Sequence, residues 1–266
     1  MNQISNTILF CGLCVALLST IGCQEDEVAS HWSDREITID GEQTEWHGRL
    51  WVSEPENIAI GIMNDESNLY LTLSTSDRNN IMQIMRLGLT VWFDPKGGTK
   101  EVFGIKYPFG IRGMGTRSTG RSERPRDYMP DMEEQVRSLQ KSQLWIEVLG
   151  PGKDDVAWLS VMDTTGIRVK TGLSTDGRFV YELKIPLGPS LDNPYAVNTS
   201  PGKTVGIGFE TGEIDLAAMR SQRAGSGMRG GGMRGGRRPG GMPGVGQGRQ
   251  MPEPFRYWIR VTLDSG

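Results

Sequence analysis

Short runs in which apolar and polar residues alternate, each closed by a turn signal, recur along this chain and leave it few folds to adopt. The clearest spans residues 87–95. Leu87, Leu89, Val91 and Phe93 fall on one side of a period of two, Thr90 and Trp92 on the other, and Asp94-Pro95 with Gly97-Gly98 ends the run. That period, filled with β-branched and aromatic residues, predicts a strand whose one face enters a core and whose other face carries a tryptophan outward. Similar runs predict strands at 37–39, 58–62, 69–73, 102–107, 144–148, 156–162, 167–171, 179–186, 205–209 and 257–263. A single short helix is predicted over 131–142, with Asp131 as cap, Glu134 three residues on, and Met132, Val136 and Leu139 on one face. Many strands with one helix predict an all-β chain, a two-sheet antiparallel β-sandwich of jelly-roll type.

The ends and charges of the chain predict where it works. Residues 1–22 read as a signal peptide, because the apolar run at 8–21 is too short to span a bilayer comfortably as a mature helix. Thr20-Ile21-Gly22-Cys23 resembles the lipobox of bacterial lipoproteins, which implies lipidation of Cys23, and Gln24 after it favours the outer membrane. Cys11 and Cys14 lie in the leader, so no disulfide or thiolate metal site is expected in the mature chain. Residues 23–34 are polar and are expected as a tether, with the sandwich over 35–266. Residues 217–252 hold seven arginines and no acid, so the body carries the compensating negative charge. Half of the residues in 225–248 are glycine, a composition that predicts a disordered loop insertion. In an exported chain its partners are expected to be acidic glycans or lipid phosphates and not nucleic acid, with a solvated spacer as the plainer reading.

Several of these marks carry a resemblance. Ile37-Thr38-Ile39-Asp40-Gly41 followed by Glu45-Trp46 resembles the opening of family 9 carbohydrate-binding modules and of the wider DOMON-like sandwiches. Asn64-Asp65 before Leu69-Tyr70-Leu71, the run from Leu89 to Pro95, the run from Tyr181 to Pro186, and the last strand fit the same pattern. The resemblance implies a binding module in which two tryptophans sandwich a terminal sugar and calcium braces the loops. The chain departs from it in having no tryptophan between Trp158 and Trp258.

Strand parity sends Trp92, Trp145 and Trp258 to the outer face, with Arg260 and Glu147 beside them. Aromatic faces suit the apolar patches of sugar rings, and polar groups fix hydroxyls. These five residues are the candidate saccharide site. A competing arrangement lays the helix 131–142 across that face, with Gly61, Gly206 and Gly208 making room for it. Trp46 is assigned to a core corner, while Trp51 and Trp158 stay unassigned. Asp40, Asp65 and Asp94, with Asp77, stand at strand ends, where oxygen ligands for calcium gather, though turn aspartates also cap backbone amides. Catalysis is not expected, since the two histidines, His31 and His47, have no nucleophile motif around them. Two other readings stay open: an accessory lipoprotein that docks a protein through the same face, and a haem domain using some of the thirteen methionines.

Overall fold

The computed structural model describes residues 26–110, 132–150, 155–162, 166–191, 193–212 and 254–266. The leader with Cys23, the Asp131 cap and the arginine-rich loop lie outside the described residues.

Two sheets face each other. The first runs in the order β1 (Asp26–Ala29), β13 (Arg256–Thr262), β12 (Thr204–Thr211), β6 (Leu89–Asp94), β7 (Phe103–Lys106), β8 (Trp145–Leu149) and β9 (Val156–Ser160). The second runs β10 (Arg168–Leu173), β11 (Phe179–Pro186), β5 (Asn68–Thr75), β4 (Ile58–Asn64) and β2 (His31–Trp32), with β3 (Leu50–Ser53) also paired to β4. The alternation described above places the core. Ile60, Ile62, Leu71, Leu73 and Leu183 of the second sheet meet Val91, Phe93, Ile105, Ile207 and Ile259 of the first in one cluster, each 1 % exposed or less. Each such side chain contributes about 1.5–3 kcal/mol of burial. The expected β-sandwich is therefore the fold observed.

The N-terminal segment departs from expectation. Residues 26–34 do not hang as a tether. β1 pairs in parallel with β13, matching Val28 to Val261, and β2 pairs in parallel with β4. Val28 is buried in the core, and Ser30 Oγ donates to Asn64 Oδ1 at 2.6 Å where the chain crosses from one sheet to the other. The sandwich is consequently mixed, and among the described residues both parallel pairings are supplied by this segment. One buried valine among polar neighbours gives too weak a period to predict a strand.

A second helix is also present. α1 (Arg78–Leu87) begins at Asp77, whose Oδ1 accepts the N–H groups of Asn79 at 2.7 Å and Asn80 at 3.0 Å. Gly88, at φ +86°, ends it in a conformation that suits glycine. Ile81, Ile84 and Met85 close one end of the core. Leu87 is thus the last residue of a helix, and the central strand starts at Leu89. Asparagines in the first turn mask this helix in the sequence, because they favour turns and caps over helix interiors.

The helix predicted over 131–142 is α2 (Met132–Ser142), which lies against β10 and buries Val136 and Leu139. It does not cross the outer face of the first sheet. Residues 37–39 form no strand. Ile37 and Ile39 instead cover the outer face of the second sheet with Trp46, Met63 and Tyr70.

Candidate functional site

The register of the first sheet puts Trp258, Gly208, Trp92 and Gly104 in one row across four strands, all on the outer face. A Cβ on Gly208 would sit 2.5 Å from Trp258 Cε2, and one on Gly104 would sit 2.6 Å from Trp92 Cε3. Each indole therefore lies flat on a glycine of the neighbouring strand, and both lean the same way. Trp258 covers the lane of β12, and Trp92 covers the lane of β7. Both rings remain partly exposed. Trp92 Nε1 donates to Glu210 Oε2 at 2.9 Å, which fixes that ring in its plane. Glu210 also lies 4.0 Å from Arg256, and Arg256 pairs with Glu101. Arg260 is exposed, and its Nε donates to the Gly97 carbonyl at 3.0 Å.

In the competing arrangement Gly208 makes room for a helix. It seats an indole instead. Gly206 makes room too, but for the turn after β6: a Cβ there would lie 1.7 Å from the Gly98 carbonyl oxygen. Gly61 is the third seat of this kind, beneath Trp46.

Trp145 and Glu147 share the outer face but not the first platform. Leu149 continues the row of Trp92 and Gly104, and Trp145 lies four residues further along β8. Their neighbours are different. Glu147 pairs with Lys106 at 3.1 Å and stands opposite Trp158 of β9. Trp158 stacks on Phe109, with centroids 5.2 Å apart and planes at 29°. Trp145 is 52 % exposed and Trp158 55 %. The five predicted residues thus divide into Trp92, Trp258 and Arg260 on one side and Trp145 and Glu147 on the other. Sequence reasoning left Trp158 unassigned and missed Phe109, Lys106, Glu210 and Arg256. The alternation of β9 held a signal for Trp158, whereas Phe109 comes from a loop with no periodicity.

The three aspartates proposed for calcium are not brought together. Asp65 Oδ1 accepts the N–H groups of Ser67 and Asn68, and its Oδ2 accepts the Tyr70 hydroxyl at 2.8 Å. Burial alone would raise the Asp65 carboxyl, but these donors outweigh it and hold it below the usual carboxylate range. Asp94 accepts the N–H groups of Lys96 and Lys100. Both are turn caps.

Only Asp40 joins other acids. Its carboxylate lies within 4.8 Å of those of Glu45 and Glu182, the one such group among the described residues. Glu182 is fully buried, and its oxygens accept Asp40 N–H at 2.9 Å, Gly41 N–H at 2.7 Å and Trp46 Nε1–H at 2.7 Å. Burial pushes its carboxyl up to about 7 against the pull of those donors. Calcium takes six to eight oxygens, and here three N–H groups crowd the central carboxylate. The donor set suits a hydrogen-bonded corner that pins the Trp46 turn better than it suits calcium.

Two hollows lie elsewhere. One of about 190 Å³ sits between the Asp40–Glu42 turn, α2 and Leu173. Another of about 540 Å³ lies among Asn68, Leu187, Asn193 and Thr199. Neither has an aromatic ring in its lining.

No family model and no curated protein matches the sequence. Among solved structures the chain is similar to a family 9 carbohydrate-binding module from Caldicellulosiruptor kristjanssonii in complex with glucose. That match has 14% identity over 73% of this chain and 81% of that one, with a TM-score of 0.30. The complex of a family 9 module from the same organism with cellotriose matches at 14% identity, over 73% and 80% of the two chains, with a TM-score of 0.31. A presumed carbohydrate-binding protein from Bacteroides uniformis matches at 11% identity, over 71% and 84%, with a TM-score of 0.37. The first two carry the family name that the sequence marks resemble.

Proposed function

We propose that the outer face of the seven-stranded sheet binds saccharides without cleaving them. The observation that carries this is the posture of Trp92 and Trp258, each laid flat on a glycine and left partly exposed. Two large aromatics left partly exposed in one row of a sheet form an apolar patch, and a flat indole is the shape that the apolar side of a pyranose fits. Glu210, Arg256 and Arg260 stand around the rings and supply acceptors and donors for hydroxyls. The posture is that of a platform, not a clamp, since both rings lie on one face. A glycan array probed with the leaderless protein, followed by titration of its tryptophan fluorescence, tests the reading. Binding that is lost in Trp92→Ala and Trp258→Ala is expected; no response to any glycan would overturn it.

The anchoring proposed at Cys23 fits this role. β1 begins at Asp26, so a lipid on Cys23 would hold the sandwich close to the outer membrane. Metabolic labelling with an alkyne fatty acid, present in the native chain and lost in Cys23→Ala, checks it.

A further inference from the structure

We infer that the outer face carries a second binding station, formed by Trp145, Trp158 and Phe109, and that the ligand is a soluble, uncharged saccharide chain long enough to cross the strands between stations. This rests on the saccharide reading above.

Trp145 and Trp158 are each more than half exposed, on adjacent strands and one diagonal step apart, and Phe109 stacks against Trp158. Single exposed aromatics are ordinary, but a cluster of three on one face marks a contact surface. What lies between the stations says what touches it. The row next to the tryptophans runs Arg256, Glu210, Thr90, Lys106, Glu147 and Trp158. Its charges are already paired, Arg256 with Glu101 and Glu210, and Lys106 with Glu147. Such a row offers donors and acceptors in abundance and little net charge. That suits neutral hydroxyls and gives an acidic or basic polymer no excess to hold.

The register also sets the length. Trp92 and Trp158 are three strands and two residues apart, about 16 Å between backbones at ordinary strand spacing. A disaccharide is too short to reach both. The same count sets the shape. Three strand steps accumulate about 65° of twist, so the two sets of rings cannot lie in one plane. A flat crystalline face could therefore touch only one station, whereas a soluble chain can turn with the sheet.

The test is a size series of malto-, cello- and xylo-oligosaccharides, from disaccharide to hexasaccharide, titrated against the leaderless protein and Trp158→Ala. Trp145→Ala serves as a second variant, and thermal melts serve as a check on folding. For the series that binds, the longest members are expected to bind at least about tenfold more tightly than the shortest, as a second linked contact allows. Trp158→Ala and Trp145→Ala should lose that gain, whereas Trp92→Ala should weaken binding along the whole series, and affinity should vary little between low and high salt. Equal affinity along the series would overturn the second station and leave the first standing. So would a Trp158→Ala change that alters the oligomeric state but not binding, because the cluster would then be a protein contact. No binding by any glycan would remove both readings together.

Discussion

Gly208→Ala separates a binding platform from a structural ornament, because it removes the seat of an indole and leaves the indole in place. The new Cβ would lie 2.5, 2.6 and 2.7 Å from Cε2, Cζ2 and Cδ2 of Trp258. Carbon atoms rest about 3.5–4.0 Å apart, so the ring must lift by about 1 Å and tilt off the sheet. Stability should barely change. Replacing glycine in a strand returns about 0.5–1 kcal/mol of backbone entropy, while lost ring contact removes a similar amount. Binding should change much more. One ring face is half of the roughly 200 Å² an aromatic buries, and about 100 Å² at 25 cal/mol per Å² is worth about 2.5 kcal/mol, or roughly 70-fold in affinity. Calorimetric titration with a glycan found on the array, beside a urea unfolding curve, measures both quantities on one sample. A variant with wild-type stability and wild-type affinity would refute the argument that a flat indole holds the sugar.

Other perturbations address the rest of the molecule. Glu182 titrates near 7 in the folded protein against 4.5 for its ordinary value, so the folded state holds the extra proton between those limits. Its contribution is therefore fully present below pH 4.5 and lost as pH rises through 7, at most about 1.4 kcal/mol per pH unit. Urea curves at pH 5 and pH 8 should show this slope, and Glu182→Gln should flatten it; a native slope of opposite sign would mean that the three donors outweigh burial. Because N–H groups crowd that corner, millimolar calcium should not move the melting temperature relative to a chelator, and a clear upward shift would make Asp40, Glu45 and Glu182 a metal site. Asp77→Ala removes the cap of α1 and should cost about 1 kcal/mol in denaturant unfolding, with glycan binding unchanged.

The alternation of leucine, valine and isoleucine with polar residues was enough to place β4, β5, β6, β11, β12 and β13 within a residue or two, since each strand writes its own buried face into every second position. That Trp92 and Trp258 point away from the core is legible for the same reason. Their posture is not, because it depends on which strand stands next to which. Gly104 and Gly208 become seats only once β7 adjoins β6 and β12 adjoins β13 in this register, and the register between two strands leaves no mark on the periodicity of either. The same physics hid β1, whose one buried valine finds its place only against β13, some 230 residues away. Tertiary structure likewise split the five candidate site residues into two stations, because register along β8 carries Trp145 away from Trp92 even though both face outward. Parity belongs to a single strand and can be read from it; neighbourhood belongs to the sheet and cannot.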